Sequence, residues 1–206
     1  MRSYCCGHIS LSPVSEGATL ALNIVGVLLA AGAGRRFGGP KILAHDGAWL
    51  THAAASLHLG GCSRVFVTTG AARPPMPIGC DELWVPQWRE GVSASVRAAI
   101  HSVSAATSEN GEPDILVLHT IDTPDIGAEV IRRVVNAVSG KSSLARAVFD
   151  GIPGHPVAIG RAHFAGLLAT VHGDAGARHY LHQHHTMHVE CGDLATGADV
   201  DTKGPA

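Results

Sequence analysis

No run of apolar residues in this chain approaches the ~20 that a membrane-spanning helix needs. No segment at its start joins a basic stretch to an apolar core in the manner of a signal peptide. Net charge is slight: 15 Lys and Arg against 17 Asp and Glu give −2, with His neutral, which removes any general electrostatic attraction to nucleic acid or to an anionic membrane. Cysteines are few and unpatterned. The five of them (Cys5, Cys6, Cys62, Cys80 and Cys191) are odd in number and include no Cys-x-x-Cys. That spacing offers neither a zinc site nor a dithiol pair, and a reducing cytoplasm fits best. Internal repeats and linker-like stretches are missing too, so the 206 residues read as one domain with a sizeable core. The first 22, Met1 to Leu22, precede the first strand and read as a disordered extension.

What the chain does have is strands alternating with helices. The apolar run that starts at Ile24 and stops in a glycine-rich loop is a buried strand by its Val, Ile and Leu content. Ala48 to Leu59 is a helix closed by Gly60-Gly61, and Arg64 to Thr69 is the second strand. Ala71 to Asp81 is loop, Glu82 to Val85 a short strand, and Val92 to Val103 a helix. Asp114 to His119 is an apolar strand, followed by a helix over Ile126 to Val138. Leu144 to Phe149 and Pro156 to Ile159 are strands flanking a turn. Arg161 to Thr170 and Ala175 to His182 are helical, and Met187 to Cys191 is the last strand. This alternation predicts a single-domain, Rossmann-like α/β fold: a mostly parallel sheet with helices on both faces. Ligands in such sheets sit at the carboxyl ends of the strands, so the loop after the first strand and the one after Leu118 should converge.

The loop after the first strand carries four glycines (Gly32, Gly34, Gly38, Gly39) and three cations (Arg35, Arg36, Lys41). Glycines let backbone N–H groups approach an anion, and fixed cations add charge where a polyphosphate would lie. It is not a P-loop, because Phe37 stands at the second glycine position and Ile42 follows Lys41. A dinucleotide fingerprint fails on the same Phe37.

The order Leu-Ala-Ala-Gly-x-Gly-x-Arg-x-Gly-x-x-Lys, here Leu29 to Lys41, resembles the signature of sugar-nucleotide and cofactor nucleotidyltransferases. It is most similar to the molybdenum-cofactor branch, and within it Ala30-Ala31-Gly32 and Gly39-Pro40-Lys41 look like the cytidylyltransferases. That resemblance implies the nucleotide-diphospho-sugar transferase type of sheet and a magnesium-dependent joining of CTP to the phosphate of molybdopterin. It also implies nucleotide-binding residues at Leu29, Ala30, Ala31, Gly32, Ala33, Gly34, Arg35, Lys41, Thr69, Gly70, Ser95 and Asp122. Arg36 would neutralise the β- and γ-phosphates and Lys41 the α-phosphate, the catalytic set being Arg36, Lys41 and Asp122.

In His119-Thr120-Ile121-Asp122-Thr123-Pro124-Asp125, Asp122 resembles the magnesium-binding Asp of the family's Asp-x-Pro element. Asp125 reads as the cap of the next helix. Asp199-Val200-Asp201-Thr202 resembles a second acidic element, which implies Asp201, or alternatively Asp199, as second metal ligand; a solvated acidic tail is the other reading. Trp88 to Val96 resembles an element near base and ribose, with Ser95 toward the ligand and Ser93 as a helix cap. Gly154 to Arg161 and Gly173 to Arg178 resemble acceptor-side elements, which imply roles for His155 and Asp174; His155 could equally be a turn residue before a proline. His184 and His188 have helical spacing, but no Glu lies between them, and a solvated helix end accounts for them. The same resemblance leaves open another phosphorylated acceptor such as a sugar phosphate. It also leaves open a non-catalytic carrier that delivers cofactor to a molybdenum hydroxylase apoenzyme.

Overall fold

The computed structural model describes residues 22–105 and 111–202; the extension expected over residues 1–22 lies, Leu22 apart, outside them. Seven strands form one sheet in the order β3-β2-β1-β4-β6-β5-β7. They are β1 (Ile24–Leu29), β2 (Arg64–Thr69), β3 (Cys80–Trp84), β4 (Ile115–Thr120), β5 (Leu144–Phe149), β6 (Ile152–Gly160) and β7 (Met187–Glu190). All neighbours are parallel except β6, which runs antiparallel to both β4 and β5.

Both faces are covered. On one, α1 (Ala48–Leu59) and α3 (Ala128–Asn136) pack Leu50, Leu57, Ile131 and Val134 against Leu28, Ile115 and Val117. On the other, α2 (Val92–Ala105), α4 (Phe164–Thr170) and α5 (Arg178–Gln183) bring Val96, Ile100, Leu167 and Leu181 onto Val27, Leu116 and Leu118. Adjacent strand residues point to opposite faces, so the continuous apolar runs of β1 and β4 are what two-sided burial requires.

Several boundaries differ from the expectations, each for a local reason. The strand expected from Pro156 begins at Ile152. Proline at 156 is tolerated because it falls in the irregular stretch between the Val148–Pro153 and Arg146–Val157 pairs, and β4 pairs only with residues 157–160. The helix expected from Ile126 starts at Ala128 behind an extended Gly127. The one expected from Ala175 starts at Arg178, since Gly176 takes a φ of 54°. The helix expected over Arg161 to Thr170 opens with a 3-10 turn, Arg161–His163. The edge strand expected at Glu82 begins at Cys80.

Candidate active site

The parallel register of β1 and β4 sets Leu29 beside Thr120. The two chains therefore leave the sheet side by side, and Ile121 N–H donates to Leu29 O at 3.2 Å. Between these exits and the start of α2 lies a cleft of about 420 Å³, walled by Leu29, Ala30, Ala31, Gly32, Ala33, Gly34, Arg35, Lys41, Ser95, Asp122 and Asp174. All eleven are residues the sequence singled out. The wall also includes Trp88, Arg89, Gly91, Val92, Thr120 and Ile121. Four of these belong to the stretch read as base-binding without being named as contacts. Arg89, a cation folded over the Trp88 ring at 4.4 Å, was the available signal.

The glycine loop is built to hold its N–H groups open. Ala30 N–H is taken by Thr68 Oγ1 at 2.8 Å. Among the described residues, nothing accepts from the N–H of Ala31, Gly32, Ala33 or Gly34. Beyond them the loop closes on itself, with Gly38 and Gly39 N–H both donating to Gly34 O. Gly34 sits at φ +57°, where a Cβ would also strike the Gly39 carbonyl, so only glycine serves. Gly32 differs: its φ is ordinary and no protein atom lies within 4 Å of a Cβ built there. Phe37, which breaks both nucleotide fingerprints, is buried and tilts against Trp49 at 5.3 Å. It anchors the loop.

At the loop's end, a 3-10 segment, Lys41–Gly47, buries most of the Lys41 side chain. Its ammonium lies 3.1 Å from Asp122 Oδ2 and 3.4 Å from Asp201 Oδ1, and Arg36 reaches Asp201 Oδ2 at 3.0 Å. Sequence positions 81 and 160 residues apart from Lys41 thus meet on one ammonium. The C-terminal segment is steered there by two anchors. Asp125 Oδ2 accepts from Thr196 N–H at 2.7 Å, Thr196 Oγ1 at 2.6 Å and Gly197 N–H at 3.2 Å. Val200 N–H donates to Asp122 O at 2.8 Å. Asp125 is therefore structural, but it does not cap α3, whose N-cap is Gly127. Desolvation, then the charges of Asp122 and Asp201, push the Asp199 carboxyl above its usual range, while Lys41 and Arg178 pull it back.

The remaining expected residues, Thr69, Gly70 and His155 among them, are not part of the cleft wall. Thr69 is buried, and its hydroxyl donates to Glu82 at 2.6 Å; Arg73 clamps the same carboxylate at 2.7 and 2.8 Å. The Arg73 and Thr69 hydrogen bonds hold Glu82 down at about 2. Gly70 packs so closely on Ala31 O and Trp88 that a Cβ would lie 2.7 Å from each. Ser93 does not cap its own helix: its Oγ accepts from Gly176 N–H at 3.1 Å, and its N–H donates to Gly173 O. It ties the loop that carries Asp174 to the start of α2. His155 contacts Leu118 O at 3.3 Å through Nδ1, and burial pushes its pKa down. His184 stacks on the Tyr180 ring at 3.9 Å, away from His188 on β7.

One buried residue was not anticipated. His119, on β4 opposite Leu28, is fully enclosed, and neither ring nitrogen has a hydrogen-bond partner. Burial drives its pKa down to about 3, so it stays neutral.

Residues 26–188 match the family described as the MobA-like NTP transferase domain. The nicotine blue oxidoreductase of Paenarthrobacter nicotinovorans is 34% identical over 199 residues, covering 87% of this chain and 92% of that protein. Rv0371c from Mycobacterium tuberculosis H37Rv superimposes with a TM-score of 0.68 at 26% identity, covering 88% of this chain and 94% of that one. A complex of Rv0371c with manganese, also from Mycobacterium tuberculosis, shares the fold: TM-score 0.64, 23% identity, 86% and 94% coverage. No helix among the described residues is long and apolar enough to cross a membrane.

Proposed function

The chain belongs to the MobA-like NTP transferase family, and we propose that it moves a nucleoside monophosphate from CTP onto the phosphate of molybdopterin, releasing pyrophosphate. One observation carries this reading. Four consecutive N–H groups, Ala31 to Gly34, stay uncommitted among the described residues, beside a mostly buried Lys41 that two carboxylates hold in place. A row of open donors next to a fixed cation is what a triphosphate needs. The open space at Gly32, unexplained by any protein contact, is room for an oxygen to approach the backbone.

Asp122, with Asp201 or Asp199, is a hard carboxylate set suited to magnesium or manganese. Among the described residues no three His, Cys, Asp or Glu form a ready-made metal cage. Magnesium is commonly held by one or two carboxylates, with phosphate and water completing the shell. Asp199, its pKa raised first by desolvation and then by the charges of Asp122 and Asp201, lies within electrostatic reach of both, so a divalent cation there would meet three carboxylates. When bound, the metal supplies charge neutralisation on phosphate oxygens.

The protein's part is positioning and electrostatics. The loop N–H groups hold the triphosphate, and Lys41 meets charge that grows on the α-phosphate as an acceptor phosphate oxygen attacks. The bond from the α-phosphorus to the bridging oxygen breaks, and Arg36 receives the departing pyrophosphate. No protein nucleophile takes part. Asp174 and His155 lie on the acceptor's side.

The test is pyrophosphate release with divalent metal, molybdopterin, and CTP, GTP, ATP or UTP in turn. Release with CTP supports the reading, whereas GTP alone changes the base and keeps the chemistry. A second reading rests on the 34% identity to a protein named an oxidoreductase, namely redox chemistry in the same cleft. Redox turnover without pyrophosphate release would favour it.

A further inference from the structure

The wall of the cleft carries two carboxylates, Asp122 and Asp174. Asp122 is held by the Lys41 ammonium at 3.1 Å. Asp174 is exposed, and no ion pair or hydrogen bond engages its side chain among the described residues.

The backbone around Asp174 is shaped to put that free carboxylate where it is. Gly91, at the entry to α2, takes a φ of 101°, and a Cβ there would strike both Asp174 Oδ1 and Gly173 O. Only glycine lets the Gly173-Asp174 segment lie against the start of the helix. Two hydrogen bonds then fasten it: Ser93 N–H donates to Gly173 O at 3.1 Å, and Gly176 N–H to Ser93 Oγ at 3.1 Å. Ser93 is fully buried, so water does not compete for either bond. Nor is the carboxylate there to cap α2. The N–H groups of Ser93 and Ala94, which a cap would serve, already go to Gly173 O and Gly91 O. A glycine, a buried serine and two hydrogen bonds thus fix an acidic group that nothing else among the described residues uses.

The chemistry of its complement follows from the carboxylate itself. Ionised, it only accepts hydrogen bonds, and its two oxygens match two parallel donors. A triphosphate offers no donor and is repelled. Cytosine sets its amine beside an acceptor nitrogen, so it fills one oxygen at most. The pterin ring of molybdopterin, the acceptor in the proposed reaction, carries a ring N–H next to an exocyclic amine, which fills both. We propose that Asp174 is a specificity-determining residue that takes this paired N–H edge of the acceptor's heterocycle on its two oxygens. Calling the ligand an acceptor rests on the nucleotidyltransferase reading; recognition of the edge does not.

The test needs no turnover. Pterin and lumazine are fluorescent rings that differ at one position, where lumazine has an oxo group in place of the amine. Each is titrated into the full chain and into Asp174→Asn. The wild type is expected to bind pterin about tenfold or more tightly than lumazine, the usual scale for a hydrogen bond to a charged group. Asp174→Asn should abolish or reverse that preference, because an amide pairs one acceptor with one donor and so matches lumazine. A merely structural role would not move the ratio. Equal binding of the two rings by the wild type, binding of neither, or a preference unchanged in Asp174→Asn overturns the proposal. An unchanged preference with weakened CTP binding would give the carboxylate to the nucleotide instead. CTP binding to the wild type is measured in parallel. Its absence with the pterin preference intact would sink the nucleotidyltransferase reading and leave the role of Asp174 standing.

Discussion

The glycine loop and strand β5 treat their cations in opposite ways. At the glycine loop, the balanced end of the cleft, Lys41 and Arg36 are fixed by Asp122 and Asp201, so positive charge is held in position beside the cavity. On β5, Arg146 has no carboxylate partner among the described residues and keeps a buried Nε–H unsatisfied, with one hydrogen bond from Nη2 to Gly154 O. The first arrangement suits a ligand that arrives with its own cation, because metal and phosphates can enter a charge-paired site together.

The largest effect is expected at the balanced end. Lys41→Ala and Asp122→Asn should each lower turnover on the order of 10²–10³-fold, or about 2.7–4 kcal/mol, the cost of one preorganised charge or donor. Circular dichroism should remain that of the wild type. Wild-type turnover in either variant would remove the balanced end from the chemistry.

On β4, His119 sets a pH limit. Its folded pKa lies below its ordinary value of 6.5, at about 3. The unfolded chain therefore binds a proton that the native state refuses, and stability falls as pH drops through that window. The slope is about 1.4 kcal/mol per pH unit. Urea unfolding across the window should show a pH dependence in the wild type that is shallower by about this slope in His119→Leu. An unchanged slope in that variant would show that His119 is not the source.

Asp125→Ala tests how the balanced end is assembled. Loss of three hydrogen bonds to residues 196–197 should cost about 1–2 kcal/mol of stability. The variant should also raise KM for the nucleotide more than it lowers kcat, since Asp201 would lose its fixed position. Unaltered KM would detach that segment from the site.

Gly32→Ala should be the mildest change and the sharpest contrast with Gly34. An ordinary φ and open space at Gly32 predict a gain of about 0.4–1 kcal/mol in stability through the unfolded chain. Nucleotide affinity should drop, because the new methyl occupies the cradle. Thermal unfolding and calorimetric titration on one sample would show both; undiminished affinity would mean that no ligand comes close at Gly32.

Much of this was legible in the chain. The bounds of α1, β2 and β5 follow from residue pattern and flanking glycines, and they coincide with the expected ones. The loop and Asp122 could be brought together on paper because parallel strands place their carboxyl ends side by side. Three things were beyond reach. Asp125 looked like a cap, because an Asp ahead of a helix usually is one; its contact with Thr196 is 71 residues away. The hydroxyl of Thr69 is committed to Glu82 by pairing of β2 with β3, which no local pattern encodes. Arg146 did leave a signal, a charge inside an apolar strand, but its meaning depends on a partner being absent. Absence is visible only once the surroundings are built.

The most direct test is calorimetric titration of CTP into the wild type and Lys41→Ala, with and without magnesium. Metal-dependent binding that Lys41→Ala abolishes is the predicted result. Binding that is indifferent to both metal and Lys41, or no CTP binding at all, would contradict the account.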